Sequence, residues 1–392
     1  MAFSQRLGTA FFQAVQDDVR ARAAEVGLDA VLTDDPEDVA YLTGFFHHPC
    51  ERPVAVWLDA DGRCLLLLPE LEREHAQAQH ALAEVVSYPE YPGVLPPFAA
   101  LSAVVGNGHK RVGHTTSISY QRLVAAGSAL SDVDLVPTDV VMICRYVKHP
   151  DEVALHAEAA RITDVMLAAG VQLVADAVAA RGELPSEAEL AAHVTRVGTG
   201  TMYAEHSDVV VVSMLAGGLV YAGENSVYPH GLPSGYRLVP GDTFMLSLGC
   251  AVGGRFVEGE RTFVLGEPTA EQLRLHEAVR AAQQVGGAAI RPGAECREAN
   301  AACLAVLRDA GLGRYLRHRQ GHGIGLGMHE PPWLEDGDPT VLRAGMIVSN
   351  EPGIYVPGHA GYRISDSMLV TETGSRPLTS FPRGIADCVI PV

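Results

Sequence analysis

Residues 243–265 read Thr243-Phe244-Met245-Leu246-Ser247-Leu248-Gly249-Cys250-Ala251-Val252-Gly253-Gly254-Arg255-Phe256-Val257-Glu258-Gly259-Glu260-Arg261-Thr262-Phe263-Val264-Leu265. Two apolar runs, 243–249 and 255–265, predict two strands of a hairpin. Residues i and i+2 of a strand share a face, so Glu258 and Glu260 should project into one site. Two like charges so close need a cation, a proton or a substrate between them, unless both lie on the solvated face of an edge strand.

Working outward, strands are expected over 209–212, 346–349 and 367–371, with helices over 270–284 and 295–310 between them. A long helix over 151–181 precedes this region. A second helix opens after Pro185-Ser186, where Ser186 and Glu189 have capping-box spacing. Helices clustered beside hairpin-linked strands predict an α+β domain. The first 145 residues alternate shorter elements and predict a smaller α/β domain. Its expected elements are a helix over 5–26 ended by Gly27, a strand at 30–32 and a hairpin of 53–58 with 64–69. A helix over 70–84, a Pro-rich loop at 88–92, a strand from Arg111 and a helix running to Leu130 follow. A boundary between 143 and 150 gives domains 1–145 and 150–392.

The chain has 392 residues, 47% hydrophobic and 19% charged, which fits a packed globular protein of two or three domains and excludes a disordered or collagen-like one. Its 29 basic and 47 acidic residues give a formal charge of −18. That balance argues against generic binding to nucleic acid or an anionic membrane, which needs clustered Lys and Arg. The seven cysteines are scattered and lack a CxxC pair, so neither a disulfide framework nor a thiolate zinc site is expected, and a reducing cytoplasm is the expected location. The longest apolar run, 209–223, is too short to span a bilayer.

Residues with catalytic potential gather after position 225. His230 follows Tyr228-Pro229; His322 lies in Gln320-Gly321-His322-Gly323-Ile324-Gly325; His329-Glu330 follows; Glu351 lies in Asn350-Glu351-Pro352-Gly353-Ile354-Tyr355. With Gly223-Glu224-Asn225-Ser226, Pro240-Gly241-Asp242, Glu260-Arg261-Thr262-Phe263 and Gly361-Tyr362-Arg363-Ile364, these motifs stand in the order and spacing of the creatinase/prolidase/aminopeptidase P family. The resemblance covers about 150–392. It implies a C-terminal pita-bread domain preceded by a smaller creatinase-type α/β domain, which Tyr41-Leu42-Thr43-Gly44-Phe45 resembles.

The metallopeptidases of that family bind two ions through two aspartates, a histidine and two glutamates. By position, the resemblance puts Ser247 and Glu258 where the aspartates stand, His322 and Glu351 where the histidine and first glutamate stand, and Ser365 in place of the last glutamate. Two ligands are therefore serine hydroxyls, poor partners for a hard divalent cation. Creatinase has the fold without the metals. The resemblance implies His230 as general acid/base and Glu260 and Glu351 as holders of a guanidinium substrate; His322 is expected to orient them. His329, Arg363, Glu258 and Arg52 are the expected substrate-binding residues, the last through an N-terminal loop reaching a partner's site in a homodimer. His47 of the same loop could serve likewise, and the bland reading of that loop is a solvated surface.

The leading expectation is thus a metal-independent, cytoplasmic, dimeric hydrolase that cleaves a C–N bond in a small amidine, cyclic amidine or amide without a cofactor. Glu258, His322 and Glu351 sustain an alternative, an Xaa-Pro dipeptidase or aminopeptidase P-like enzyme with a single Zn, Mn or Fe ion. A binding module that has lost catalysis is the third reading. Small-molecule or dipeptide substrates, and neither nucleic acid nor membrane, are the expected partners.

Overall fold

The computed structural model describes residues 3–392. The chain divides into two compact units. One consists of 6–145 with 210–212. The other consists, among the described residues, of 3–5 with 146–209 and 213–392.

After β1 (Phe3–Ser4), the N-terminal unit runs α1 (Thr9–Glu25), β2 (Ala30–Thr33), α2 (Pro36–Thr43), β3 (Ala55–Asp59), β4 (Cys64–Pro69), α3 (Arg73–Ala78), β5 (Glu84–Tyr88), α4 (Pro97–Val105), β6 (Arg111–Thr115), α5 (Tyr120–Ala129), β7 (Asp134–Thr138) and α6 (Val140–Tyr146). Its six strands form one mixed sheet in the order β5-β4-β3-β2-β6-β7. Leu32, Trp57, Leu65, Leu67 and Leu101 fill its core.

Three expectations are corrected here. The first helix begins at Thr9, because Gln5 is buried and bonds His206 Nδ1 through Nε2 at 2.7 Å. The helix expected over 70–84 is one 3-10 turn and the short α3; His80 then takes a positive φ of 55°, and the chain turns into β5 beside β4. Residues 209–212 are irregular, and Val210 packs on Ala40 and Phe46. Three short helices, α2, α4 and α6, escaped the periodicity reading. Asp35 caps α2 by accepting from Glu37 N at 2.9 Å, and Pro36 opens it.

The C-terminal unit continues with α7 (Pro150–Ala179), α8 (Glu187–Glu205), β8 (His206–Asp208), β9 (Ala216–Ala222), β10 (Thr243–Val252), β11 (Arg255–Leu265), α9 (Ala270–Ala289) and α10 (Cys296–Asp309). Then come β12 (Gly321–Gly323), β13 (Glu330–Leu334), β14 (Ile347–Asn350), β15 (Gly353–Val356), β16 (Ala360–Arg363), β17 (Ser365–Val370), β18 (Ser375–Pro377) and β19 (Val389–Ile390). The expected Ser186–Glu189 capping box forms, with both reciprocal bonds present. The main sheet runs β13-β12-β14-β17-β11-β10-β9, with β18 beside β17 and β19 beside β11, and α7 packs on β10 and β11. The β10–β11 hairpin pairs Ser247 with Glu260 and Gly249 with Glu258, and β11 pairs Glu260 with Ser365 of β17.

Candidate active site

That register sets Ser247 and Ser365 on either side of Glu260, and Ser247, Glu258 and Glu260 line a cavity of about 610 Å³. Arg261, next after Glu260 in sequence, points the other way. It is fully buried, pairs with Asp366 at 2.8 Å and donates to the carbonyls of Glu260, Ser365, Phe381 and Pro382, so it anchors the strand. β12 brings His322 to the cavity. A Cβ on Gly321 would stand 2.2 Å from Ser349 O, and one on Gly323 2.5 Å from Pro331 O, so glycine on both sides lets the strand slip between its neighbours. Glu351 follows β14, and Arg363 ends β16.

One side of the cavity floor is closed by hydrogen bonds. Arg363 Nε donates to Glu260 Oε2 and Nη2 to Oε1 (2.9 Å), while Ser247 Oγ also donates to Oε1. The remaining donors of Arg363 go to Ser247 Oγ (3.0 Å), Tyr355 OH (3.0 Å) and Pro229 O (3.3 Å). Burial works against its charge, but Glu260, Tyr355 and Glu351 outweigh it and raise the guanidinium's pKa well above its usual value. The guanidinium that Glu260 holds is therefore the protein's own. This corrects two expectations: Glu260 is not free to hold a substrate guanidinium, and Arg363 has no donor left for a substrate.

The other side is open. His322 Nε2 lies 3.1 Å from Glu351 Oε1 and 3.6 Å from Glu258 Oε2, yet its geometry falls short of a hydrogen bond to either. His322 Nδ1 contacts Gly323 O at 3.0 Å, and Ser365 Oγ donates to Glu258 Oε1 at 2.7 Å. Burial, with the nearby Glu351 charge, pushes the Glu258 carboxyl up to about 8 against the pull of His322. Burial would lower His322, but Glu258 and Glu351 prevail and raise it to about 9. Burial also works to raise Glu351; the contact and charge of His322 outweigh it and hold Glu351 below the ordinary carboxylate range.

His329 is exposed and stacks on His322 at 3.8 Å; burial of the ring by its neighbours and the His322 charge hold its pKa near 4. Ligand atoms of Glu258, His322 and His329 lie within 4.8 Å of one another, so His329 faces the cluster as a possible ion donor as well as a substrate contact. His230 is exposed at the cavity wall. Arg52 belongs to the N-terminal unit, where it lines a separate cavity of about 620 Å³ and pairs with Glu51 and Glu90, each at 2.7 Å. His47 in that cavity is buried and stacks on Phe45. Sequence reasoning missed His318 and Arg319, which no spacing rule marks. It also missed the role of Tyr355, whose hydroxyl joins His318 Nε2 (2.8 Å) to Arg363.

The metallopeptidase family M24 model matches residues 154–372, and the creatinase/prolidase N-terminal domain model matches 16–147. The chain belongs to metallopeptidase family M24. It is a hydrolase of C–N bonds, built from a creatinase-type N-terminal domain and a pita-bread domain, as the sequence resemblance implied. It is 32% identical to the probable dipeptidase PepE of Mycobacterium tuberculosis over 95% of both chains. The structure of dipeptidase PepE from Mycobacterium ulcerans matches with a TM-score of 0.84 and 29% identity, covering 99% of this chain and 100% of that one. A Bacillus anthracis Xaa-Pro dipeptidase matches with a TM-score of 0.82 and 26% identity, covering 96% and 99%. These relatives are peptidases by name, which favours the dipeptidase alternative over the creatinase-like expectation.

Proposed function

We propose that this M24 member hydrolyses dipeptides of the Xaa-Pro type with the help of one divalent ion, Zn, Mn or Fe. The observation that carries the reading is the buried His322 Nε2, unbonded between two carboxylates that repel each other. Glu258, His322 and Glu351 would hold the ion, with His329 close enough to add a donor. Such an ion, when bound, supplies Lewis acidity for water and the amide carbonyl. A second ion finds no comparable donor set. Ser247 Oγ and Ser365 Oγ are engaged with glutamates, and Glu260 is closed by Arg363.

In this reading Glu351 and Glu258 balance the ion's charge, and the Arg363–Glu260–Ser247 lattice keeps the floor of the cavity rigid. His230, at the wall, is placed to move a proton to the leaving nitrogen. The amidine reading is weaker because Glu260 already carries a guanidinium. Elemental analysis of the purified protein, with Xaa-Pro hydrolysis measured with and without chelator, tests the proposal. About one ion per chain and chelator-sensitive hydrolysis are expected. Chelator-resistant hydrolysis, or two ions per chain, would overturn it.

A further inference from the structure

A dipeptide carries a free α-carboxylate, and the cavity must hold a cation for it. Arg363 is excluded, because all five of its N–H groups are used inside the protein. The other guanidinium lining the cavity is Arg319. It lies over the Trp333 ring, 4.2 Å from the centroid, and donates from Nη1 to Glu335 Oε2 at 2.9 Å. Its side chain is 31% exposed, and its Nε and Nη2 have no bonded partner among the described residues. It lines the same cavity as Glu258, His322 and His329.

Stacking on an indole and pairing at one nitrogen fix the guanidinium plane while leaving one N–H edge open, the geometry that grips a carboxylate. We infer that Arg319, held by Trp333 and Glu335, is the subsite for the substrate's free C-terminal carboxylate. The inference rests on the dipeptide reading and deepens it. A carboxylate anchored there selects dipeptides over peptides extended or blocked at the C-terminus. Glu335 tempers the guanidinium's charge without occupying its open edge.

The test is calorimetric binding of Ala-Pro and of Ala-Pro amide to the chelator-treated protein, where hydrolysis does not interfere. The acid should bind the wild type about ten- to a hundredfold more tightly than the amide, the range of a charge-assisted hydrogen bond. Arg319→Gln should bring the acid's affinity down to that of the amide and leave the amide unchanged. Arg319→Lys should recover part of the difference, and Trp333→Leu should lose part of it. Equal binding of acid and amide to the wild type, or an equal loss of both in Arg319→Gln, overturns the subsite alone. If neither peptide binds the wild type, the dipeptide reading fails and takes the subsite with it. Should Arg319→Gln not fold, the acid-against-amide ratio of the wild type and of Arg319→Lys decides the matter.

Discussion

The two sides of the cavity floor carry the same kind of change, a serine where relatives of the family place a carboxylate ligand, and they have opposite electrostatic outcomes. At Ser247 the facing strand supplies Glu260, and Arg363 meets that carboxylate with two hydrogen bonds. Ser365, also opposite Glu260, turns its hydroxyl to Glu258 instead; only that hydroxyl meets the carboxylate, and His322 stands between it and Glu351 without a hydrogen bond. Losing a ligand is therefore different from losing its charge. What matters is whether a cation from the chain itself arrives with the replacement.

The contrast can be broken from either side. The largest functional effect should come from the open side: Glu351→Gln removes one of the two charges proposed to hold the ion and should lower dipeptide turnover and bound metal together, by about a hundredfold or more in rate. Turnover and metal content near those of the wild type would mean that the open side is not where the ion sits. On the closed side the largest effect should be on stability. Arg363→Ala leaves Glu260 buried without its partner and should cost about 3–5 kcal/mol in chemical denaturation. A loss within the range of a surface substitution would show that Glu260 finds another cation.

A smaller effect separates the two sides by pH. A group whose pKa is higher folded than unfolded gives its full stabilisation below the unfolded value and loses it as pH rises through the folded one. Glu258 moves from an ordinary 4.5 up to about 8, and His322 from 6.5 up to about 9, so both contributions fade in the same direction. His329 moves the other way, to about 4; its contribution is present above 6.5 and fades only as pH falls toward 4. The chelator-treated protein should therefore melt several degrees lower at pH 8 than at pH 6.5. A melting temperature that rises over this interval would contradict the crowding of charge on the open side.

Much of this was legible in the sequence. The β10–β11 hairpin showed itself through its apolar runs, and the same alternation placed Glu258 and Glu260 on one face. Motif spacing brought His230, His322, Glu351 and Arg363 to one cavity. What stayed hidden depends on partners distant in the chain. Arg363 and Glu260 are 103 positions apart, and nothing local tells whether a carboxylate awaits a substrate or already has a guanidinium. Arg319 depends in the same way on Trp333 and Glu335, brought beside it by the turn between β12 and β13. Local readings failed where helical composition was overruled by sheet pairing, as at residues 79–88, where β5 takes its place beside β4.

The short strand β1 lies parallel to β8, some two hundred residues later, and Gln5 bonds both His206 and the amide of Gly253 in the turn of the active-site hairpin. On a ribosome adding about 5–20 residues per second, β1 and Gln5 wait on the order of ten seconds or more for these later partners. This segment is thus a late-closing clasp on the unit that carries the cavity. Anyone dividing the gene at the apparent linker would leave the catalytic half with an unpaired edge at β8 and a hairpin turn missing its acceptor.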